Sequence, residues 1–232
     1  MGDSLVVVTG AAGALGRAVA GAFLAQGHPV LLVDFNEEAL RGAYPAADGK
    51  GQFVVVDLTN TEATLAALGS ALERAGPAGI LCNIAGGFTM GAPVHDPDTS
   101  AWQRMLDMNV ATTLNACRAV VPGMLKAGRG KVINIAAAAA TSGKPAMGAY
   151  CAAKSAVARI TESMALELRD QGINVNAVAP SILDTPVNRL DMPDADPSAW
   201  VSLQQLTDVI QFLASDKASA IHGAVIPVVG RS

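Results

Sequence analysis

The sequence is poor in the residues that most often advertise chemistry. Three histidines (His28, His95, His222) and three cysteines (Cys82, Cys117, Cys151) are spread over 232 residues. Neither set has the short ligand spacing of a metal site, so a metal-free protein is expected. An odd number of cysteines, all in apolar segments, points to buried reduced thiols and not to a disulfide framework. Charged residues make up only 16% and the net charge is −4, with the basic residues scattered. That balance speaks against nucleic acid as a partner. Although 51% of the residues are hydrophobic, no apolar run approaches the roughly 18 residues that a membrane span needs. Met1-Gly2-Asp3-Ser4 leads straight into a hydrophobic strand, without the basic stretch or cleavage pattern of a secretory signal. A cytoplasmic protein with no membrane partner is expected.

What the sequence does have is a regular alternation of patterns. Mostly apolar runs at 5–8, 30–33, 53–56, 80–83, 132–135, 174–178 and 224–229 read as strands, several of them buried on both faces. Helical patterns lie between them. The first runs from Ala14 to Gln26 and is closed by Gly27, a second is capped by Asn36, and a third by Thr59 or Asn60. A long helix over 100–127 is expected to be disturbed at Pro122-Gly123, because proline removes an internal hydrogen bond. Further helices are expected over 147–169 and 202–214. Repeated strand–helix units imply a parallel, doubly wound sheet. The expected fold is one three-layer α/β domain of Rossmann type over residues 1–232, seven strands in order 3-2-1-4-5-6-7 with helices on both faces.

Thr9-Gly10-Ala11-Ala12-Gly13-Ala14-Leu15-Gly16 falls where the first strand meets the first helix. Glycines there permit a tight turn and let backbone N–H groups approach a pyrophosphate at the helix N-terminus. The same glycines also suit a turn that only packs helix on sheet. The second strand ends at Asp34, about 20 residues on, where a carboxylate can accept from an adenosine ribose hydroxyl. Its charge would repel a 2′-phosphate, and Phe35 after it offers no compensation. NAD(H) is therefore favoured over NADP(H).

Tyr150-Cys151-Ala152-Ala153-Lys154 places a phenol and an ammonium four residues apart, so on a helix both leave the same face. The ammonium is expected to lower the phenol's pKa and make Tyr150 an acid/base near neutrality. The bland alternative is a pair at a helix–helix interface.

With four further matches these residues resemble the short-chain dehydrogenase/reductase family over essentially the whole chain. Asp57-Leu58 matches its adenine-contacting pair, and Asn83-Ile84-Ala85-Gly86 the motif that ends its fourth strand. Asn109 matches the asparagine of its proton relay, and Pro180 with Thr185 the segment at the nicotinamide carboxamide. The resemblance implies a nucleotide site from Gly10, Gly13, Ala14, Leu15, Gly16, Asp34, Asp57, Leu58, Asn83, Ala85, Gly86, Pro180 and Thr185. It implies Tyr150, Lys154 and Asn109 as catalytic residues, with Tyr150 and Lys154 also at the nicotinamide ribose and Asn109 holding a water that links Lys154 to solvent. Two departures stand out. The family glycine at position 14 is Ala14, where Gly13 beside it could supply the backbone freedom. The family serine, thirteen residues before Tyr150, is Ala137 inside an alanine run, with Thr141 and Ser142 four and five positions too late.

Both departures, together with Leu183-Asp184-Thr185-Pro186-Val187-Asn188-Arg189, Met192-Pro193-Asp194-Ala195-Asp196 and Trp200, resemble a serine-less branch of the family typified by dihydropteridine reductase. That resemblance implies an NADH-dependent reductase of an activated carbonyl or a quinonoid, dihydropteridine-like small molecule, with Tyr150 as proton donor. An alcohol/ketone dehydrogenase working without the serine, or a catalytically silent nucleotide-binding protein, are the alternatives. A homodimer or homotetramer built on the helices over 100–127 and 147–170 is also expected. Ala111, Ala116, Ala119, Ala156, Met164 and Leu168 give these helices more apolar surface than one sheet contact needs.

Overall fold

The computed structural model describes residues 4–45 and 49–231; residues 1–3, read above as leading into the first strand, lie outside the described part. The strands are β1 (Leu5–Thr9), β2 (Val30–Asp34), β3 (Gly51–Val55), β4 (Ala78–Asn83), β5 (Gly130–Ile135), β6 (Ile173–Pro180) and β7 (Val225–Val228). They form one parallel sheet in the order β3-β2-β1-β4-β5-β6-β7, as expected. The helices are α1 (Ala14–Ala25), α2 (Glu37–Ala43), α3 (Thr61–Ala75), α4 (Thr99–Leu106), α5 (Thr112–Ala127), α6 (Gly148–Leu168), α7 (Pro186–Asp191) and α8 (Leu203–Ala214). Asn36 caps α2 by accepting from the Ala39 N–H, and Asn60, not Thr59, caps α3 by accepting from Ala63.

Register explains why the central strands read as unbroken apolar runs. Leu31, Val7, Leu81, Val132 and Val175 stand side by side across five strands and face α3, α5 and α6. One residue along, Leu32, Val8, Cys82 and Ile133 face the opposite way, toward α1, α2 and α8. Each fully buried branched side chain stabilises the fold by about 1.5–3 kcal/mol relative to exposure. The edge strands β3 and β7 are only partly covered and look weaker in sequence for that reason. Asn174 and Asn176 interrupt the apolar run of β6, but their amides donate to the carbonyls of Ser219 and Ile221 and tie down the segment leading to β7.

The long helix breaks at a place the sequence did not suggest. Pro122 sits inside an uninterrupted α5. The irregularity lies fifteen residues earlier, where Asp107–Ala111 forms a π-helical turn between α4 and α5 with Asn109 at its middle. Such turns are rare and concentrate at functional sites.

Strand order reverses between β1 and β4, which opens a crevice at their carboxyl ends. All three cysteines are free and buried. Among the described residues no helix is long and apolar enough to cross a membrane, and no cluster of three potential metal ligands occurs.

Candidate active site

The crevice is floored by the turn after β1. Gly10 has φ +64°, and a Cβ there would stand 2.9 Å from the Ala85 Cα. A Cβ on Gly16 would overlap the Gly10 carbonyl oxygen, so the first helical turn lies directly on the turn that precedes it. Gly13 has an ordinary φ of −72° and is the N-cap of α1, and no side chain caps that end. The expectation that Gly13 lends special backbone freedom is therefore corrected. Ala14 is simply the first residue of the helix, where a methyl is welcome. Leu15 turns its side chain into the core; what this stretch presents outward is backbone N–H, the donor set that suits a pyrophosphate.

Three side chains hold the turn in place. The Thr9 hydroxyl accepts from the N–H groups of Ile84 (2.9 Å) and Ala85 (3.0 Å), joining the ends of β1 and β4. Asp34, 8% exposed, accepts from the Ala12 N–H at 3.0 Å and from Asn36 at 3.3 Å. The Tyr44 hydroxyl donates to the Ala11 carbonyl at 2.8 Å. Burial pushes that phenol above its usual range, with Arg17 opposing and Asp34 adding to the rise. Neither Thr9 nor Tyr44 was singled out from sequence. Thr9 was visible as the opening residue of the glycine turn, whereas Tyr44 lies 33 residues from its partner and carries no local signal.

Beyond β3, Asp57 is exposed and accepts from the N–H and hydroxyl of Thr59. Leu58 is buried in the core, and its carbonyl is taken by Asn115, so its side chain adds nothing to a nucleotide surface. The Asn83 side chain also faces inward. Its amide donates to Asn134 at 2.9 Å and to the Cys117 sulfur at 3.3 Å, tying β4 to β5 and α5 within the sheet's interior. Pro180 ends β6, and the Thr185 hydroxyl accepts from Asn188 N–H to cap α7.

Lys154 and Asn109 converge on Gly86. A Cβ at Gly86 would lie 2.7 Å from Asn109 Oδ1 and 3.4 Å from Lys154 Nζ. The Asn109 amide is fully engaged, donating to the carbonyls of Gly87 and Met105 and accepting from the Gly87 N–H. Its side chain thus fixes the Gly86-Gly87 backbone and has no donor left for a relay water. Lys154, 5% exposed, donates from Nζ to the Ile135 carbonyl at 2.8 Å, and burial pulls its pKa down to about 8. Tyr150 packs against Phe88 edge to face with centroids 4.9 Å apart. Burial pushes the phenol up to about 12, with Cys151 adding to the rise. The expectation that the ammonium lowers this pKa is overturned: desolvation dominates, and the Lys154 charge is directed to a main-chain oxygen. Gly86→Ala is expected to push Asn109 and Lys154 apart and to weaken both NADH binding and turnover. Nucleotide titration and steady-state rates on the variant check this.

At the position thirteen residues before Tyr150, Ala137 lies in extended backbone (φ −155°, ψ 153°) and is 4% exposed. Two nearby hydroxyls are already engaged, and Ser142 is exposed beyond the short helical turn. Thr141 donates to the Ala138 carbonyl at 2.8 Å, closing its own short helical turn, and Ser155 donates to the Ala140 carbonyl at 2.7 Å.

A family model described as short chain dehydrogenase matches residues 4–195. The chain belongs to that family. As a short-chain dehydrogenase it is an NAD(P)-dependent oxidoreductase. It is 31% identical to the 2-(R)-hydroxypropyl-CoM dehydrogenase of Xanthobacter autotrophicus, across 97% of each chain. Among solved structures it superposes on NAD+-bound xylitol dehydrogenase with a TM-score of 0.90 at 28% identity, covering 98% of both chains. A gluconate 5-dehydrogenase from Burkholderia cenocepacia J2315, solved with NADP and tartrate, gives 0.89 at 26% identity, covering 98% of this chain and 94% of that one.

The residues of this short-chain dehydrogenase fit a dinucleotide on structural grounds. Two glycines leave room that a Cβ would fill, the first turn of α1 has no side-chain cap, and a buried carboxylate stands at the end of β2.

Proposed function

We propose that this short-chain dehydrogenase uses NADH to reduce an activated carbonyl or a quinonoid, dihydropteridine-like substrate, with Tyr150 as the proton donor. The observation that carries the proposal is Ala137, with the hydroxyls of Thr141 and Ser155 already donated to carbonyl oxygens. A well-placed donor to a developing oxyanion contributes about 3–4 kcal/mol to such a step. A site without it suits a substrate that is electrophilic from the outset. The nicotinamide, when bound, supplies the hydride. Tyr150 delivers the proton from its hydroxyl to the substrate heteroatom, so the C=O or C=N bond gains one hydride and one proton. A phenol held near 12 is fully protonated at neutral pH, which favours donation over abstraction. Lys154 binds the nicotinamide ribose, and Asn109 holds the Gly86-Gly87 backbone against which the ring would lie.

A second reading, alcohol or ketone oxidoreduction without the serine, is favoured by relatives named 2-(R)-hydroxypropyl-CoM dehydrogenase and xylitol dehydrogenase. One panel divides the two: NADH oxidation with quinonoid dihydropterin, with indophenol-type quinonoid dyes and with simple ketones. Preference for the quinonoids supports the proposal, and turnover of ketones alone overturns it. NADH binding with no turnover of any compound points to a silent nucleotide-binding protein.

NADH is proposed over NADPH because Asp34 presents a buried carboxylate and Phe35, 75% exposed, brings no positive charge. Calorimetric titration should give tighter binding of NADH, with Asp34→Ala narrowing the difference. Some loss of NADH affinity is also expected in that variant, because Asp34 holds the Ala12 N–H.

A homodimer or homotetramer on α5 and α6 is proposed on altered grounds. Ala116 is buried in the chain's own core, and Ala119, Met164 and Leu168 pack partly buried against it, which leaves less free surface than the sequence suggests. The exposed large apolar residues on these helices are Leu114, Leu125 and Leu166. Sedimentation should show a dimer or larger at micromolar concentration, and Leu166→Glu should shift it toward monomer.

A further inference from the structure

Aspartates outnumber cations in the segments that follow the carboxyl ends of three strands. Three segments border the crevice mouth: residues 87–98 after β4, 137–149 between β5 and α6, and 182–200 after β6. They carry six aspartates against two cations, Arg189 and Lys144. Arg189 is not free, since its Nε and Nη2 donate to the two carboxylate oxygens of Asp184 at 2.6 and 2.8 Å. Asp98 caps α4 with Arg104 nearby, and Asp196 holds Ser198 with Arg231 nearby. Asp96, Asp191 and Asp194 are exposed, and among the described residues no lysine or arginine pairs with them.

The same segments also expose apolar side chains. Phe88 leaves 53% of its surface open while its ring meets that of Tyr150. Val187 and Leu190, on α7, are 62% and 80% exposed. An aromatic ring beside the proton donor favours a flat or cyclic partner. A cleft lined by one sign of charge concentrates molecules of the opposite sign and repels its own. We infer that the substrate is a ring compound with an apolar face and no anionic group, and that carboxylate-, phosphate- or sulfonate-bearing analogues are discriminated against at the mouth. This inference deepens the reductase proposal and rests on it.

The test is a matched series on one quinonoid or cyclic-ketone skeleton, bearing a methyl, a trimethylammonium or a carboxylate group. With NADH at low salt, kcat/KM for the carboxylate member should fall about tenfold or more below the others. The gap should close at high salt, because exposed charges are screened within about 8 Å at physiological ionic strength. The double variant Asp191→Asn, Asp194→Asn should narrow the low-salt gap and leave the methyl member unchanged. Phe88→Ala should raise KM for all three without altering NADH affinity. A carboxylate member that is equal or better at low salt, or a gap that salt leaves untouched, overturns the inference. Equilibrium binding of the three compounds to the NADH-loaded protein reads the same charge order if none is turned over. In that way failure of the charge rule and failure of the reductase proposal give different results.

Discussion

Tyr150→Phe should cost the enzyme about 10²–10⁴-fold in turnover on its best substrate, the range that a positioned general acid contributes. NADH affinity should stay within about twofold, because the change removes one oxygen and keeps the ring that packs against Phe88. Stopped-flow reduction and fluorescence titration of NADH separate the two quantities. The pH profile adds a second readout with a definite sign. Reduction needs the phenol protonated, and at about 12 it stays so across the accessible range, so Tyr150 sets no limb near neutrality. Lys154, pulled down to about 8 by burial, is charged below that value and neutral above it. Activity should therefore decline as pH rises through about 8, and Lys154→Arg, which stays charged, should flatten the decline. Lys154→Ala, in contrast, should weaken NADH binding as well as turnover. A Tyr150→Phe variant with full activity would remove Tyr150 as proton donor and the proposed mechanism with it.

The fold was legible because its information is local and periodic. Runs such as Val6-Val7-Val8 and Leu31-Leu32-Val33 are apolar on both faces because helices cover both sides of the sheet. The glycine turn and Asp34 were legible because each sits at a strand end whose position the alternation of elements fixes. What failed depends on contacts between distant segments. Pro122 carries an obvious local signal for a break, yet α5 runs through it. The π turn at Asn109 carries none, and the amide within it reaches across to the Gly87 backbone, 22 residues away. The protonation of Tyr150 follows the same pattern. Spacing to Lys154 suggested a lowered pKa, but burial under Phe88 and the engagement of Lys154 by Ile135 set the opposite direction. Apolar residues on α5 and α6 looked like spare surface for a partner because a sequence cannot say how thick the core beneath a helix is. Ala116 is buried inside it and Met164 packs against its edge.

Ala137→Ser should separate the two functional readings by the sign of its effect. The extended backbone at Ala137 accepts serine without strain, and the new hydroxyl would enter a site where only 4% of the alanine is exposed. For an unactivated ketone the developing oxyanion has no donor other than Tyr150. A second one should raise kcat/KM by up to about 10²–10³-fold, the effect of one oxyanion-hole donor. For a quinonoid ring the electron demand is already met by the conjugated system, so extra polarisation has little to stabilise. The added oxygen would also occupy space against a flat substrate and lose its water, so no gain or a decline is expected. The decisive quantity is the ratio of kcat/KM for ketone to that for quinonoid, measured in the parent and in Ala137→Ser. A rise in that ratio of an order of magnitude or more, with the quinonoid rate flat or lower, fits a site built around the absence of the hydroxyl. An equal rise for both substrates would mean that the missing donor limits every reaction here, and the case for an activated substrate would fall.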